Sequence, residues 1–448
     1  AQYVKCRRLL AEELDVEPSA ETTRLYEQIR DETPTGSLPS LEHRLRPTHN
    51  LPLTLGPFVG REAELAEIDN CLRDPACRLL TLVGAGGMGK THLALEAAAD
   101  WIARAREDEL DSVTLVPLAA LQTAAAIVPA IARAIGFQLS PGREPGQQLL
   151  DYLDQKRWLL ILDSFEHLPD GAGFVAEILR TAPHVKVLVT SRARLNLHGE
   201  HCLPVAGIDF PEQIPENAQQ ARSFAAVELV LQAAHRVQPG FEPADVDLSE
   251  IARICCLVQG MPLGILLAAA WLDVLGPAEI TAEIAKGLDF LETDWPDVPE
   301  RQRSLRAVFD QSWHLLTGRE QEVFQALSVF RGGFTRDVAS QVAGASLGDL
   351  KALTDKSLLQ YTPSRRYEIH ELLRQYAAGK LDALGDAQVA GNRHCAYYAT
   401  ALGRWEADLL SARQQAALIE MEAESENIHA AWYWAVEHTQ VRQLDRAM

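Results

Sequence analysis

Cysteine, methionine and aromatic side chains are scarce in this chain of 448 residues, with 7 Cys, 4 Met and 6% Phe, Trp and Tyr. The cysteines (Cys6, Cys71, Cys77, Cys202, Cys255, Cys256, Cys395) are odd in number and scattered, and none forms a C-x-x-C pair. That argues against a disulfide or zinc framework and for reduced thiols in a cytoplasmic protein. Long apolar runs are also missing. The longest uncharged one, near "MPLGILLAAAWL", is too short to span a bilayer, and no secretory leader is legible, so no membrane partner is expected. Basic residues are outnumbered: 42 Lys and Arg face 62 Asp and Glu, a net charge of −20. Such a balance disfavours non-specific binding of DNA or anionic membranes by the chain as a whole.

What is present is ordinary for a globular protein, 47% hydrophobic and 23% charged, and long enough for roughly three domains of about 150 residues. Residues 1–33 read as two helices, with Ser19 a candidate N-cap. Ala1 already falls inside a helical pattern, so we expect a piece of a longer protein. Residues 34–57, rich in Pro, Thr and Ser without periodicity, read as a linker. From 58 to 210, apolar strands alternate with helices. "RLLTLVG", "SVTLVPL", "RWLLILD" and "VKVLVTS" are near-continuous apolar runs, as in a parallel sheet covered on both faces. Residues 211–298 read as all helical. Residues 299–381 read as helices followed by "LLQYTPSRRYEIH", two short β-prone runs around a turn, the outline of a winged helix. Residues 382–448 are helical again. Their aromatics, Tyr397, Tyr398, Trp432, Tyr433 and Trp434, read as core.

The stretch "LTLVGAGGMGKTHLALEAAA" carries two glycine patterns at once. Gly84, Gly86 and Gly89 fit a dinucleotide fingerprint, whereas Gly84, Ala85, Gly86, Gly87, Met88, Gly89, Lys90 and Thr91 fit a P-loop, with His92 next along the helix. A dinucleotide site wants an acid at the end of the following strand, and "SVTLVPL" ends without one. A P-loop wants a Lys for the β/γ-phosphates and a hydroxyl for Mg²⁺, and Lys90 with Thr91 supplies both. The loop glycines free backbone N–H groups for the phosphates at a helix N-terminus. The bland alternative is a glycine-rich turn with a surface lysine. Asp163 ends the buried run "RWLLILD", where an acid can hold Mg²⁺ or its water. Ser164 follows, where many nucleoside triphosphatases have a second acid, and Glu166 is oddly placed to polarise a water. We therefore expect slow ATP hydrolysis at most. Arg192, ending "VKVLVTSR", is placed to sense a γ-phosphate, for which its forked donors suit it.

Six stretches, "FVGRE", the P-loop, "LLILDSFEHL", "VTSR", "GMPLGILLAAAWL" and "RYEIHELLRQYA", occur in an order and spacing that resembles the NB-ARC/STAND class of signalling ATPases. The likeness extends to bacterial SARP-type transcriptional activators carrying a STAND module. "CRRLLAEELDVEPSAETTRLYEQIR" resembles the end of their bacterial transcriptional activation domain, and "ESENIHAAWYWAVEH" the start of a tetratricopeptide array. The resemblance implies a multidomain protein: an α/β P-loop NTPase domain, an all-α helical domain, a winged helix and tetratricopeptide-like helices. It implies Val59, Gly60 and Arg61 against adenine and ribose, Gly84 to Lys90 on the phosphates, and Thr91 with Asp163 on Mg²⁺. It further implies Arg192 as sensor, Pro262 packed on the adenine, and His370 on the β-phosphate of ADP. Here His370 is flanked by Ile369 and Glu371, where the class often has Met-His-Asp.

The function expected from this is an ATP/ADP-dependent switch in a bacterial transcriptional regulator. ADP would hold a closed monomer. ATP, with a signal or partner read by C-terminal repeats, would promote self-association, and DNA would be read by a region outside this chain. The rivals are a turnover P-loop ATPase or kinase, disfavoured by Ser164 and by the want of a basic lid, and a DNA-binding winged helix with Arg365 and Arg366 in its wing.

Overall fold

The computed structural model describes residues 48–52, 58–104, 110–293 and 303–439. The helices expected over 1–33 and the first part of the linker lie outside the described residues.

Six strands form one sheet: β1 (Thr48–His49), β2 (Leu79–Val83), β3 (Ser112–Pro117), β4 (Trp158–Asp163), β5 (Lys186–Ser191) and β6 (Glu200–Pro204). Their order is β1-β3-β4-β5-β2-β6 and every pairing is parallel. Alternation within the central strands sends successive side chains to opposite faces. Leu80, Leu82, Leu159 and Ile161 enter one buried core; Leu79, Leu160 and Leu162 enter the other. Both faces are thus covered, which is why these strands read as unbroken apolar runs.

The two edges escape that reading. Thr48 and His49, inside the expected linker, form β1 on β3, and Asn50 extends the edge by accepting from the Leu115 N–H and donating to its carbonyl. β6, "EHCLP", pairs with β2 although its sequence is polar and mixed. Edge strands are half solvated and short, so they need no apolar run.

The register brings the strand ends level. Pro117 lies opposite Asp163 and Val83 opposite Ser191. The P-loop, Ser164 and Arg192 therefore leave the sheet along one carboxyl-terminal edge, where ligands bind in open parallel sheets. Helix α1 (Lys90–Arg104) starts there and buries Leu93, Ala94, Ala97, Ala98 and Trp101.

The face of the sheet covered by α1 continues into a helical region as one core. Helix α2 (Pro262–Ala269) starts with proline at its first turn, where a missing N–H costs nothing, and is apolar almost all round because it is enclosed. Helix α3 (Leu305–His314) is capped by the Ser304 hydroxyl, which accepts from the Ala307 N–H at 3.1 Å. It buries Leu305, Val308, Phe309 and Ser312, the i, i+3, i+4, i+7 stripe of a core-facing helix. Helix α4 (Leu347–Asp355) precedes a hairpin of β7 (Gln360–Tyr361) and β8 (Tyr367–Glu368), and helix α5 (Glu371–Leu384) follows. Phe334 bridges to Tyr367 beside the hairpin. The outer face of α3 is seated on α5, where the Tyr376 hydroxyl (2.5 Å) and the Lys380 ammonium (3.0 Å) both donate to Asp310.

The last three described helices (Ala387–Leu409, Gln414–Ala423, Ser425–Glu437) pack on the hairpin region through buried polar bonds. Glu424 accepts from Arg366 at 2.6 Å and from the Tyr398 hydroxyl at 2.7 Å; Asn427 donates to the Gly333 carbonyl at 2.8 Å. Of the aromatics expected in the core, Tyr398 is fully buried, but Tyr433 is 68% exposed and Trp432 40% exposed. Helical spacing alone did not separate the two faces of that last helix.

Candidate functional site

The P-loop turns sharply between β2 and α1. Gly87 and Gly89 have φ of +86° and +80°, which side-chain-bearing residues adopt only at a cost. Gly86 is needed for a different reason. A Cβ there would lie 2.4 Å from Val308 Cγ1 and 3.1 Å from Arg192 Cζ, so α3 and the guanidinium press directly on the loop. The Lys90 ammonium donates to the Gly84 (2.8 Å) and Ala85 (2.9 Å) carbonyls of its own loop, and burial lowers its pKa to about 8. An ammonium held at this depth retains a strong drive toward anions.

Beside it stands a cluster of oxygens. Asp163 Oδ1 accepts from the Thr91 and Thr190 hydroxyls, each at 2.6 Å, and Ser164 Oγ lies 3.5 Å from the other carboxylate oxygen. One carboxylate among hydroxyls is a fitting donor set for Mg²⁺, which takes few protein ligands and completes its shell with phosphates and water. No group of three or more His, Cys, Asp or Glu suited to a tighter metal site occurs among the described residues. Ser164 has φ 63°, an uncommon conformation for a residue other than glycine, and its N–H donates to Thr190 Oγ1 at 2.9 Å. That turn carries the chain from the strand end over the cavity.

A cavity of about 600 Å³ opens here, lined by Gly86, Gly87, Gly89, Lys90, Thr91, His92, Ser164, Glu166, Arg192, Pro262 and Leu263. Val308, Gln311, His314 and Leu315, from α3 and the residue after it, close the other side. The volume suits a ligand of nucleotide size. The sheet edge, the start of α2 and α3 meet in it, and the Leu263 N–H at the start of α2 donates to the Gly87 carbonyl at 3.2 Å. Arg192, 7% exposed, donates to the Val308 carbonyl and Ser312 Oγ at 2.6 Å and pairs with Glu166 at 3.1 Å.

Several expected site residues lie elsewhere. Gly84, Ala85 and Met88 belong to the loop but do not line the cavity; Met88 is buried beneath it. Arg61 is a buried staple: one terminal nitrogen donates to the Met88 (3.1 Å) and Ala206 (2.6 Å) carbonyls and the other pairs with Glu64, so its fork is spent within the fold. Val59 and Gly60 line a separate hollow with Asp209, Arg222 and Phe224. His370 is not a lining residue either. Both its ring nitrogens are buried without a hydrogen-bond partner, facing the backbone at Val258 and Gln259, and burial lowers its pKa to about 4. Sequence reasoning missed Val308, Gln311, Ser312 and His314. Nothing local in "VFDQSWHLL" marks them, since they read as one more amphipathic helix.

A parallel sheet with its phosphate loop at the carboxyl edge defines a P-loop nucleoside triphosphatase fold, and residues 57–241 match the family description of an AAA ATPase domain. Residues 1–30 match that of a bacterial transcriptional activator domain. Rv0890c of Mycobacterium tuberculosis, named as an HTH-type transcriptional regulator, is 34% identical over 377 residues, 82% of this chain and 40% of that protein. The uncharacterized protein Rv0894 of the same organism is 31% identical over 359 residues, 77% of this chain and 86% of that protein. The chain belongs to the same family as Rv0894 and carries an AAA ATPase domain over residues 57–241. It spans about 40% of the length of Rv0890c. Among solved structures, the Pyrococcus horikoshii STAND protein with a tetratricopeptide repeat sensor aligns over 91% of this chain and 59% of its own, at 16% identity and a TM-score of 0.31. No described helix is long and apolar enough to cross a membrane.

Proposed function

We propose that this chain is the nucleotide-controlled switch of a bacterial transcriptional regulator, resting with ADP and self-associating with ATP and Mg²⁺. The observation that carries the reading is the composition of one cavity. The P-loop, the start of α2 and the inner face of α3 all line it. A ligand bound there touches three stretches at once and favours the packing in which they suit it. Lys90 and the loop amides would hold the phosphates, Thr91 and Asp163 would hold Mg²⁺, and Pro262 would flank the base. When bound, Mg²⁺ would neutralise phosphate charge. Moving such an equilibrium from 1:99 to 99:1 takes about 5.5 kcal/mol of differential affinity. A γ-phosphate with its metal supplies differential contacts of that kind. We read residues 299–381 as a winged helix, 382 onward as the start of tetratricopeptide-like helices, and the inducer as a ligand of later repeats.

The two rival readings are less well supported. A turnover ATPase or kinase wants a free acid beside the scissile phosphate, but Ser164 follows Asp163 and Glu166 is paired with Arg192. A DNA-reading winged helix wants a basic, accessible helix just before its hairpin. Here α4 carries Asp349 and Asp355, its end accepts from the Arg194 N–H at 3.2 Å, and Arg366 of the hairpin is tied to Glu424. Gel filtration with small-angle scattering tests the switch. The protein with ADP should be a compact monomer, and with a non-hydrolysable Mg-ATP analogue it should expand or associate. Identical profiles in both nucleotides would refute it.

A further inference from the structure

Arg192 is a buried cation whose donors must be met if its burial is not to cost heavily. A single turn of α3 supplies three acceptors for them. One terminal nitrogen donates to the Val308 carbonyl and to Ser312 Oγ, both at 2.6 Å, and the other to Gln311 Oε1 at 2.5 Å. Residues 308, 311 and 312 share one helix face, so the three acceptors move together. Glu166, at 3.1 Å, is the only acceptor among these four that comes from the sheet side. Arg192, Val308 and Gln311 all line the phosphate cavity, and the guanidinium lies against Gly86 of the loop.

We propose that Gln311 and Ser312 set the nucleotide preference of this site by clamping Arg192 to α3. The proposal rests on the nucleotide-switch reading above. A diphosphate is served by Lys90 and the loop amides and leaves the clamp closed. A triphosphate brings a further charged group to the Arg192 side of the cavity. Two phosphate oxygens match a guanidinium fork better than neutral acceptors do. The guanidinium then leaves Gln311, Ser312 and the Val308 carbonyl, and α3 loses its bonds to the sheet edge. ATP therefore binds against the clamp and ADP with it. The strength of the clamp is built into the ratio of the two affinities.

The test is titration calorimetry of ADP and of a non-hydrolysable Mg-ATP analogue into the whole chain. The variants are Gln311→Ala, Ser312→Ala, Arg192→Ala and the double variant Arg192→Ala/Gln311→Ala. Losing one acceptor of a charged donor should raise analogue affinity relative to ADP by about tenfold in Gln311→Ala. Ser312→Ala, which loses no side chain from the cavity wall, should shift the ratio in the same direction, with ADP affinity held within about twofold. In the Arg192→Ala background, Gln311→Ala should leave the ratio unchanged, because there is nothing left to clamp. An unchanged ratio in both single variants, or a shift that persists without Arg192, overturns the proposal. A wild-type chain that binds neither nucleotide overturns the underlying reading as well.

Discussion

The two walls of the cavity are built on different principles. The front wall is local: Gly86, Gly87, Gly89, Lys90 and Thr91 come from one short loop and helix start, and Ser164 and Arg192 directly follow neighbouring strands of the same sheet. The rear wall is α3, whose bond from Arg192 to Val308 closes 116 residues of chain. The front supplies charge and backbone donors that any phosphate can use. The rear supplies ordinary side chains whose meaning comes only from where the helix is docked. A nucleotide can thus be bound by one wall and read by the other.

Three experiments press on that contrast, the largest effect first. His370 is a buried neutral imidazole with pKa about 4, and His394 is in the same condition, also about 4. The unfolded imidazole, near 6.5, takes up a proton that the folded one refuses until about pH 4. Stability is therefore fully present above pH 6.5 and falls as the pH drops toward 4, by roughly 3 kcal/mol per histidine at most. Denaturant titrations from pH 7 to 4 should show the loss, with a shallower one in His370→Leu. That variant should keep its ADP affinity. If ADP binding falls tenfold instead, His370 belongs to the nucleotide site after all.

Lys90→Ala breaks the front wall alone. It removes a charge-assisted contact of about 1.5–3 kcal/mol, so ADP affinity by calorimetry should fall roughly ten- to a hundredfold. The far-ultraviolet circular dichroism should not change. Unaltered affinity would remove the lysine from the site.

Gly86→Ala breaks the seam between the walls. The added methyl would sit 2.4 Å from Val308, so α3 must shift, at about 1–3 kcal/mol in line with other overpacked sites. Limited proteolysis around residues 303–316 should speed up, and thermal unfolding should begin earlier. An equally protected α3 in that variant would show that the helix is not pressed on the loop.

The legibility of the molecule follows the same division. Strands β2 to β5 were readable because burial on both faces forces an apolar run, and the loop was readable because phosphate chemistry needs fixed spacing. Thr48–His49 and β6 were not, since an edge strand needs only backbone partners. The resemblance places Arg61 against the base, yet its guanidinium donates to the Met88 and Ala206 carbonyls and pairs with Glu64, a tertiary staple that no local pattern announces. His370 sits in a stretch that resembles a phosphate-contacting motif, but it does not line the cavity and faces the backbone at Val258 and Gln259 instead. Gln311 and Ser312 had no signal at all.

The central claim is that the identity of the nucleotide decides how α3 sits on the P-loop. Amide hydrogen exchange of residues 305–314 measures that directly, with β4 as an internal reference. The account predicts strong protection of α3 with ADP and at least about a tenfold loss of protection with a non-hydrolysable Mg-ATP analogue, while β4 stays protected in both. The loss should vanish in Lys90→Ala at the same analogue concentration. Equal protection of α3 with the two nucleotides, both shown to be bound, would contradict it.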